Sequence, residues 1–441
     1  MDKKTRILVS IASVVILGLG TLIGVLLVQG YTYDTKNKRV VQTGVLVVNS
    51  VPNGAQIYID DHYQNVTNTS ISFLPAKNYK IRITKEGYIP WEKEITINNQ
   101  IISEIEAIMW PATPSVNPIT NTGAIGVKLS PDMQKAAYAI RFNEQDKAGL
   151  WIMDMAKRTV FSGTSTDYTQ IARNTSSLDF SSAELLWSPD SKQILATLQE
   201  GNKPEPRFTR NFLLDISRLN TTPSDVTLTK DSQLKTWNDE LGKIQNVRMT
   251  KMAGDPEGTR IASESAIPLK WSYDETMFLY ATRDPSSSSV TEKPKVVVIP
   301  SFTKTTKVAT ISATVPDAPV ATAAAEYVRQ IESQTASYSG DMNIKVYHVM
   351  QKKSFDLPKA QYYAWYPAEE KADREIQHLV MVDDGSISII ETDGKNKSTI
   401  YSGPFENNIA FPWPDGGRLV ILTNFNFKAG SEPNIYTINL R

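Results

Sequence analysis

Apolar positions follow three different patterns along this 441-residue chain, and each predicts a different kind of element. Ile7 to Val28 reads ILVSIASVVILGLGTLIGVLLV, without a charge or a proline. As a helix its 22 residues would span about 33 Å at ~1.5 Å each, the hydrocarbon thickness of a bilayer. Lys3, Lys4 and Arg6 precede it and Tyr31 and Tyr33 follow it. The positive-inside rule then puts residues 1–6 in the cytoplasm and everything after Gly30 outside. A cleaved signal peptide is the competing reading, but its apolar core runs to only about 7–15 residues and ends in a small-x-small site. Neither feature fits, so residues 7–29 are expected to be a transmembrane helix that stays attached, followed by a polar stalk at 30–42. Gly20 and Gly24 form a GxxxG step that offers a helix-dimer contact, although glycine is frequent in membrane helices anyway.

From residue 43 to 110 the period shortens to two. Val45–Val48 is a β-branched run, and Asn53-Gly54 marks a turn after it. Gln56-Ile57-Tyr58-Ile59-Asp60 alternates, as do Tyr79, Ile81 and Ile83 with Lys80, Arg82 and Thr84. Glu86-Gly87 turns the chain before a strand carrying Ile95 and Ile97. The expectation is a small antiparallel β domain. Tyr88 and Trp91 either close its core or stand out to meet a partner or a glycan.

Residues 111–124 open with three prolines in nine positions and read as a stiff linker. Beyond it one phrase recurs: Leu129-Ser-Pro-Asp132, Trp187-Ser-Pro-Asp190, Trp271-Ser-Tyr-Asp274, Trp365-Tyr-Pro367 and Trp413-Pro-Asp-Gly416. The spacings are 58, 84, 94 and 48 residues, and an apolar strand follows most copies. Proline fixes φ in such a turn, while serine and aspartate bond its backbone. Third strands follow at Gly149–Asp154 and Asn211–Asp215. The two long gaps hold expected helices at 230–250, with Leu234, Trp237, Leu241 and Ile244 on one face, and at 316–334 after an Asp317 cap. Four-stranded units repeating along a chain predict a β-propeller over 125–441, irregular, with five or six blades and helical insertions.

Two resemblances fit this division. Gly44-Val-Leu-Val-Val, Ser50-Val-Pro-Asn-Gly-Ala55, Ile57-Tyr-Ile-Asp60, Leu74-Pro75, Tyr79-Lys-Ile-Arg-Ile83 and Lys85-Glu-Gly-Tyr88 resemble a PEGA domain, with Asp61 where a glycine is often found. That resemblance implies an extracytoplasmic, non-catalytic module. The recurring Trp-Ser-Pro-Asp phrase is similar to the blade repeats of TolB-like and WD40-like propellers. The C-terminal quarter, including Phe411-Pro-Trp-Pro-Asp-Gly416 and Asn434–Leu440, resembles bacterial proteins that join a membrane anchor, a PEGA domain and a propeller. The fold class expected is therefore mainly β: an N-terminal transmembrane helix, a small antiparallel domain, then the propeller.

Composition narrows the chemistry. Lys plus Arg equals Asp plus Glu at 47 each, against a basic nucleic-acid footprint. Without cysteine and with only three histidines, thiolate and multi-histidine metal sites lack material. No G-x-S-x-G, Walker-type loop or dinucleotide fingerprint occurs. Asp383-Asp384-Gly385 reads as a hairpin turn, because Val380 and Val382 stand where a calcium loop needs oxygen ligands. The phrase acids Asp132, Asp190 and Asp274 are expected to bond their own turns. Tyr362, Tyr363 and Tyr366, beside Trp365, either pack the blades or line a mouth for a partner or glycan. The expected function is that of a membrane-anchored, non-catalytic cell-envelope scaffold, without a cofactor, binding an envelope protein or polysaccharide and no nucleic acid. The alternative is an envelope hydrolase working through carboxylates in the propeller funnel.

Overall fold

The computed structural model describes the chain except for residues 1–2, 35–37, 142–146, 157–166, 201–207, 284–319, 333–337, 339, 368–377, 407–409 and 426–431. It divides into two units, Met1–Thr113 and Pro114–Arg441. The first begins with α1 (Lys3–Val28), whose Leu8–Leu26 stretch is long and apolar enough to cross a membrane and is left unburied by the described residues. The apolar run dictates this: with no polar face, the helix has no side to turn toward water.

No stalk follows. Strands β1 (Tyr31–Asp34) and β2 (Arg39–Val51) form an antiparallel hairpin, with Tyr31 opposite Gln42 and Asp34 opposite Arg39. The sequence hid this because residues 30–42 are polar, and the backbone pairing that orders them leaves no period to read. The remaining strands of the unit are β3 (Gln56–Ile59), β4 (His62–Val66), β5 (Thr69–Pro75), β6 (Asn78–Thr84), β7 (Trp91–Thr96) and β8 (Ile102–Ile108). Two four-stranded sheets result, one in the order β4-β3-β6-β7, the other joining β1, β2, β5 and β8. Antiparallel pairing is expected throughout, but β8 runs parallel to β2, from Val45 beside Ile102 to Val51 beside Ile108. Between the sheets lie Leu46, Val48, Ile57, Ile81, Ile83, Trp91 and Ile105. These are the alternate residues of each strand, as a two-layer core requires.

The second unit begins inside the stretch expected to be a linker. Strand β9 (Val116–Pro118) pairs antiparallel with the last strand of the chain. Proline is admissible there because β9 is an edge strand, where a missing N–H faces no neighbour. Then come β10 (Ile125–Leu129), β11 (Lys135–Ile140), β12 (Gly149–Asp154), β13 (Asp167–Arg173), β14 (Glu184–Trp187), β15 (Gln193–Glu200), β16 (Phe208–Asp215) and β17 (Ser224–Asp225). Helices α2 (Lys230–Thr250) and α3 (Pro256–Glu264) lead into β18 (Lys270–Trp271) and β19 (Met277–Arg283). After α4 (Val320–Glu332) follow β20 (Met342–His348), β21 (Lys353–Asp356), β22 (Tyr362–Trp365), β23 (His378–Asp383), β24 (Ser386–Glu391), β25 (Ser398–Ser402), β26 (Ala410–Pro412), β27 (Arg418–Thr423) and β28 (Asn434–Asn439). The helix at 230–250 lies where the sequence puts it; Asp317, the cap expected for α4, lies outside the described residues.

Among the described residues these strands make five four-stranded antiparallel sheets: β10 to β13, β14 to β17, β18 to β21, β22 to β25, and β26-β27-β28-β9. Several of these sheets share cores across their faces. Ala137 and Ile152 of the first meet Ile194 and Phe212 of the second, and Leu279 and Val346 of the third meet Tyr363 and Leu379 of the fourth. Tyr366, just past β22, donates its hydroxyl to the Gly416 carbonyl, fastening the fourth sheet to the fifth. Phe411 and Val420 of the fifth sheet then meet Tyr138 and Met153 of the first, so the packing returns to its start. Helix α4, inserted within the third sheet, reaches the second, where the Tyr327 hydroxyl donates to the Trp187 carbonyl at 2.6 Å. A closed circuit of meandering sheets, the last completed by a strand from the start of the unit, is a β-propeller.

Candidate functional site

The recurring phrase is a turn held by its own serine and aspartate side chains. Backbone N–H groups of Met133, Ser191 and Glu275 donate to the carbonyls of Ser130, Ser188 and Ser272 at 2.8–3.0 Å. The hydroxyls of Ser188 and Ser272 donate to Asp190 Oδ1 and Asp274 Oδ1 at 2.6 Å, and Ser130 bonds Asp132 likewise. Each of these carboxylate oxygens also accepts a backbone N–H, from Gln134, Lys192 or Thr276, at 3.1 Å. Met133, Ser191 and Glu275 adopt φ of 55–59°, which closes the turn onto the next strand. In the last sheet the same turn sits one position earlier than the sequence suggests. The Gly416 N–H donates to the Trp413 carbonyl, so Trp413 holds the place of the serine, and Gly416 takes the positive φ at 65°.

The phrase tryptophans lock sheet to sheet. Trp187 Nε1 donates to the Lys128 carbonyl at 3.2 Å, and Trp365 Nε1 to the Lys270 carbonyl at 2.9 Å. Both acceptors lie on the first strand of the preceding or neighbouring sheet, one residue before its phrase.

One copy of the phrase is different. Tyr273 stands where Pro131 and Pro189 stand, and it exposes 43% of its surface. Its phenol is nonetheless held above the ordinary tyrosine range, first by surrounding protein and then by Tyr362 and the Asp132 carboxylate. Beside it in the chain, Lys270 points its ammonium among tyrosines: Nζ donates to Tyr338 Oη at 3.0 Å and lies 4.8 Å from the ring centroids of both Tyr338 and Tyr362. Burial lowers the pKa of this amine to about 7. Burial also raises the phenols of Tyr338 and Tyr362, which therefore stay protonated at neutral pH. The patch offers a stacking ring, phenol donors and an amine whose charge is adjustable near neutrality. That inventory suits recognition of a hydroxyl-rich or acidic group.

The residues singled out from sequence are placed differently from one another. Tyr362, Tyr363 and Tyr366 are buried, the last two with their hydroxyls on the Pro358 and Gly416 carbonyls. Tyr362 and Tyr363 lie on β22, which is buried along its whole length, and Tyr366 beside it is buried too. Of these, Tyr362 meets the patch, its ring facing the Lys270 ammonium. Trp91 is buried and Tyr88 half-buried in the small domain's core. Gly20 and Gly24 lie one turn apart on α1, and among the described residues a Cβ at either would meet nothing within 4 Å beyond the helix's own backbone. Sequence reasoning passed over Lys270 and Tyr273. The available signal was Tyr273 itself, the one residue breaking the Ser-Pro-Asp order in an otherwise intact phrase.

Residues 43–107 match the model of the PEGA domain. No curated protein matches the chain. Among solved structures, TolB from Acinetobacter baumannii is similar at 10% identity and a TM-score of 0.23, over 83% of this chain and 60% of that one. This chain thus spans less than two thirds of that TolB. An auxiliary nutrient binding protein from Bacteroides thetaiotaomicron is similar at 9% identity and a TM-score of 0.26, over 88% and 90% of the two chains. An acylaminoacyl peptidase from Pyrococcus horikoshii is similar at 11% identity and a TM-score of 0.19, over 72% and 39%.

Proposed function

We propose that this protein is a membrane-anchored, non-catalytic binding scaffold. Helix α1 holds it in the cell membrane, and the PEGA domain and the propeller stand outside, the propeller offering its Tyr273–Lys270 patch to an envelope protein or glycan. The observation that carries this reading is the use of the phrase carboxylates. Asp132, Asp190 and Asp274 each accept from a serine hydroxyl and a backbone N–H, so they serve the turns. A hydrolase would need two facing acids held for a substrate. The Tyr273–Lys270 patch brings together a ring, phenols and an amine, groups suited to holding a ligand by stacking and hydrogen bonds.

The test is a photo-crosslinking amino acid at position 273, with a second at Tyr168, an exposed site on β13, for comparison. Expressed in its own host, the protein should give one discrete adduct from position 273, weakened by Lys270→Met. Equal adducts from both positions, or a purified protein that turns over glycan or peptide, would remove the proposal.

A further inference from the structure

Where the transmembrane helix meets the PEGA domain, the chain leaves no slack. The helical ladder continues to Gln29, whose N–H donates to the Val25 carbonyl at 2.9 Å. Gly30 ends it with φ +78°, and β1 begins at the next residue. The Gly30 carbonyl accepts from both the Thr43 N–H at 2.8 Å and the Thr43 hydroxyl at 2.6 Å. Gln100 Nε2 donates to the Gln29 carbonyl at 3.4 Å. Three residue steps at no more than about 3.6 Å keep the domain's first strand within ~11 Å of Val28.

A groove of about 550 Å³ opens at this junction, lined by Val28 with Phe73, Ile101 and Ile102, and by the polar Gln29, Thr43, Ser72 and Gln100 among others. Its apolar members face outward: Val28 is 89% exposed, Phe73 51%, Ile101 53% and Ile102 68%. The backbone is arranged to present them. Gly44 pairs with Leu74 and Leu46 with Ile71, so Ser72 and Phe73 together oppose Val45, a bulge on β5. Phe73 sits there at φ +61°, a conformation that bulky residues rarely adopt. Bulges of this kind re-aim a side chain. On the other flank Gly44 lets the 97–101 loop pass close by, since a Cβ would lie 2.5 Å from the Asn98 carbonyl oxygen.

We infer that this groove is a lipid-binding surface: the PEGA domain rests on the outer leaflet, with Phe73, Ile101 and Ile102 among the phospholipids around Val28. The inference rests on reading α1 as a membrane span. Given that span, the occupant follows from position. Val28 is both the last residue of the helix and a wall of the groove, so the groove opens at interface depth, where apolar and aromatic side chains bury against the headgroup and acyl boundary. Exposed in water, the same four side chains would be a liability that a lipid surface removes.

Because the chain has no cysteine, single spin labels report depth cleanly. Full-length protein carrying Phe73→Cys, Ile102→Cys, Ile16→Cys or Asn53→Cys would be reconstituted one copy per nanodisc of phosphatidylcholine and phosphatidylglycerol. Collision with oxygen and with a water-soluble nickel chelate is then measured. Asn53 is exposed and lies beyond the far end of β2, about 20 Å along the strand from Val45. Labels at 73 and 102 should read between those at 16 and 53, richer in oxygen and poorer in nickel than 53, as interface depth requires. If 16 reads as lipid while 73 and 102 read as water, the groove is not a lipid surface although the anchor stands. If 16 itself reads as water, the anchor reading and this inference fall together. Labels at 73 and 102 shielded from both agents would mean that protein covers the groove, which also overturns it.

Discussion

Replacing Trp187 by alanine is the sharpest test of how the propeller is held together. The indole is 2% exposed, packs between the first two sheets, and donates to the Lys128 carbonyl at 3.2 Å. Burying a tryptophan removes roughly 150–250 Å² from water, which at ~25 cal/mol per Å² is about 4–6 kcal/mol. That figure is an upper bound because unfolded chains already bury part of their surface, and measured truncations of large aromatics cost about 3–5 kcal/mol. About 4 kcal/mol is the working value, including the carbonyl left without its donor. Unit 2, Pro114–Arg441, has an unfolding entropy of about 0.7 kcal/mol/K at ~2.1 cal/mol/K per residue. The midpoint should therefore fall by about 6 °C. Asp190→Ala removes turn bonds alone, and by analogy with lost caps should cost about 0.5–2 kcal/mol, or roughly 1–3 °C. Differential scanning calorimetry of the full chain in detergent reads both. Equal losses for the two variants, or a larger one for Asp190→Ala, would mean that the phrase does not act as a packing staple with an ancillary turn.

Further outcomes follow from other parts of the molecule. Tyr327→Phe should cost about 1 kcal/mol by deleting the hydroxyl on the Trp187 carbonyl, and hydrogen exchange should rise in α4 and β14 before other strands. Lys270 has a folded pKa of about 7, below its unfolded value near 10.5. The unfolded chain therefore binds more protons between those values, and stability should increase as pH rises from 7 to 10. Lys270→Met should flatten that rise; an unchanged slope would show that the amine is not desolvated. Gly44→Ala should destabilise the PEGA unit, since the new Cβ would meet the Asn98 carbonyl oxygen and Ile97 Cγ2 at 2.5 and 2.7 Å, while the propeller transition stays in place.

Much of the architecture was legible because burial writes itself into the sequence as a period. Gln56–Asp60 and Tyr79–Ile83 alternate because β3 and β6 each cover a core on one face only, and β11, β23 and β27 read as apolar runs because both faces are covered. Strand β4 left no such trace, since every residue of His62–Val66 is exposed. The β1–β2 hairpin, and the place of β9 within the proline-rich stretch, were hidden for a related reason: backbone pairing orders them, and backbone groups are the same in every sequence. Local turn chemistry was readable to within one residue. The final copy slipped because Trp413 resembles the phrase tryptophan but occupies the serine's place. The candidate patch was hardest. Lys270 gains its character only when Tyr338, far along the chain, is folded against it, and no spacing announces that encounter.

The central claim is that the propeller is carried outside the cell on an attached membrane helix. Cysteine scanning tests it directly, since any introduced thiol is the only one present. Tyr168→Cys on β13 and Lys4→Cys at the start of α1 would be expressed separately and challenged with a membrane-impermeant maleimide on intact spheroplasts. Position 168 should label before lysis and position 4 only after it, with the full-length chain retained in membranes washed at alkaline pH. Labelling of position 4 alone in unbroken spheroplasts, or recovery of position 168 in a soluble, N-terminally shortened chain, would show that the helix neither anchors nor orients the protein as described.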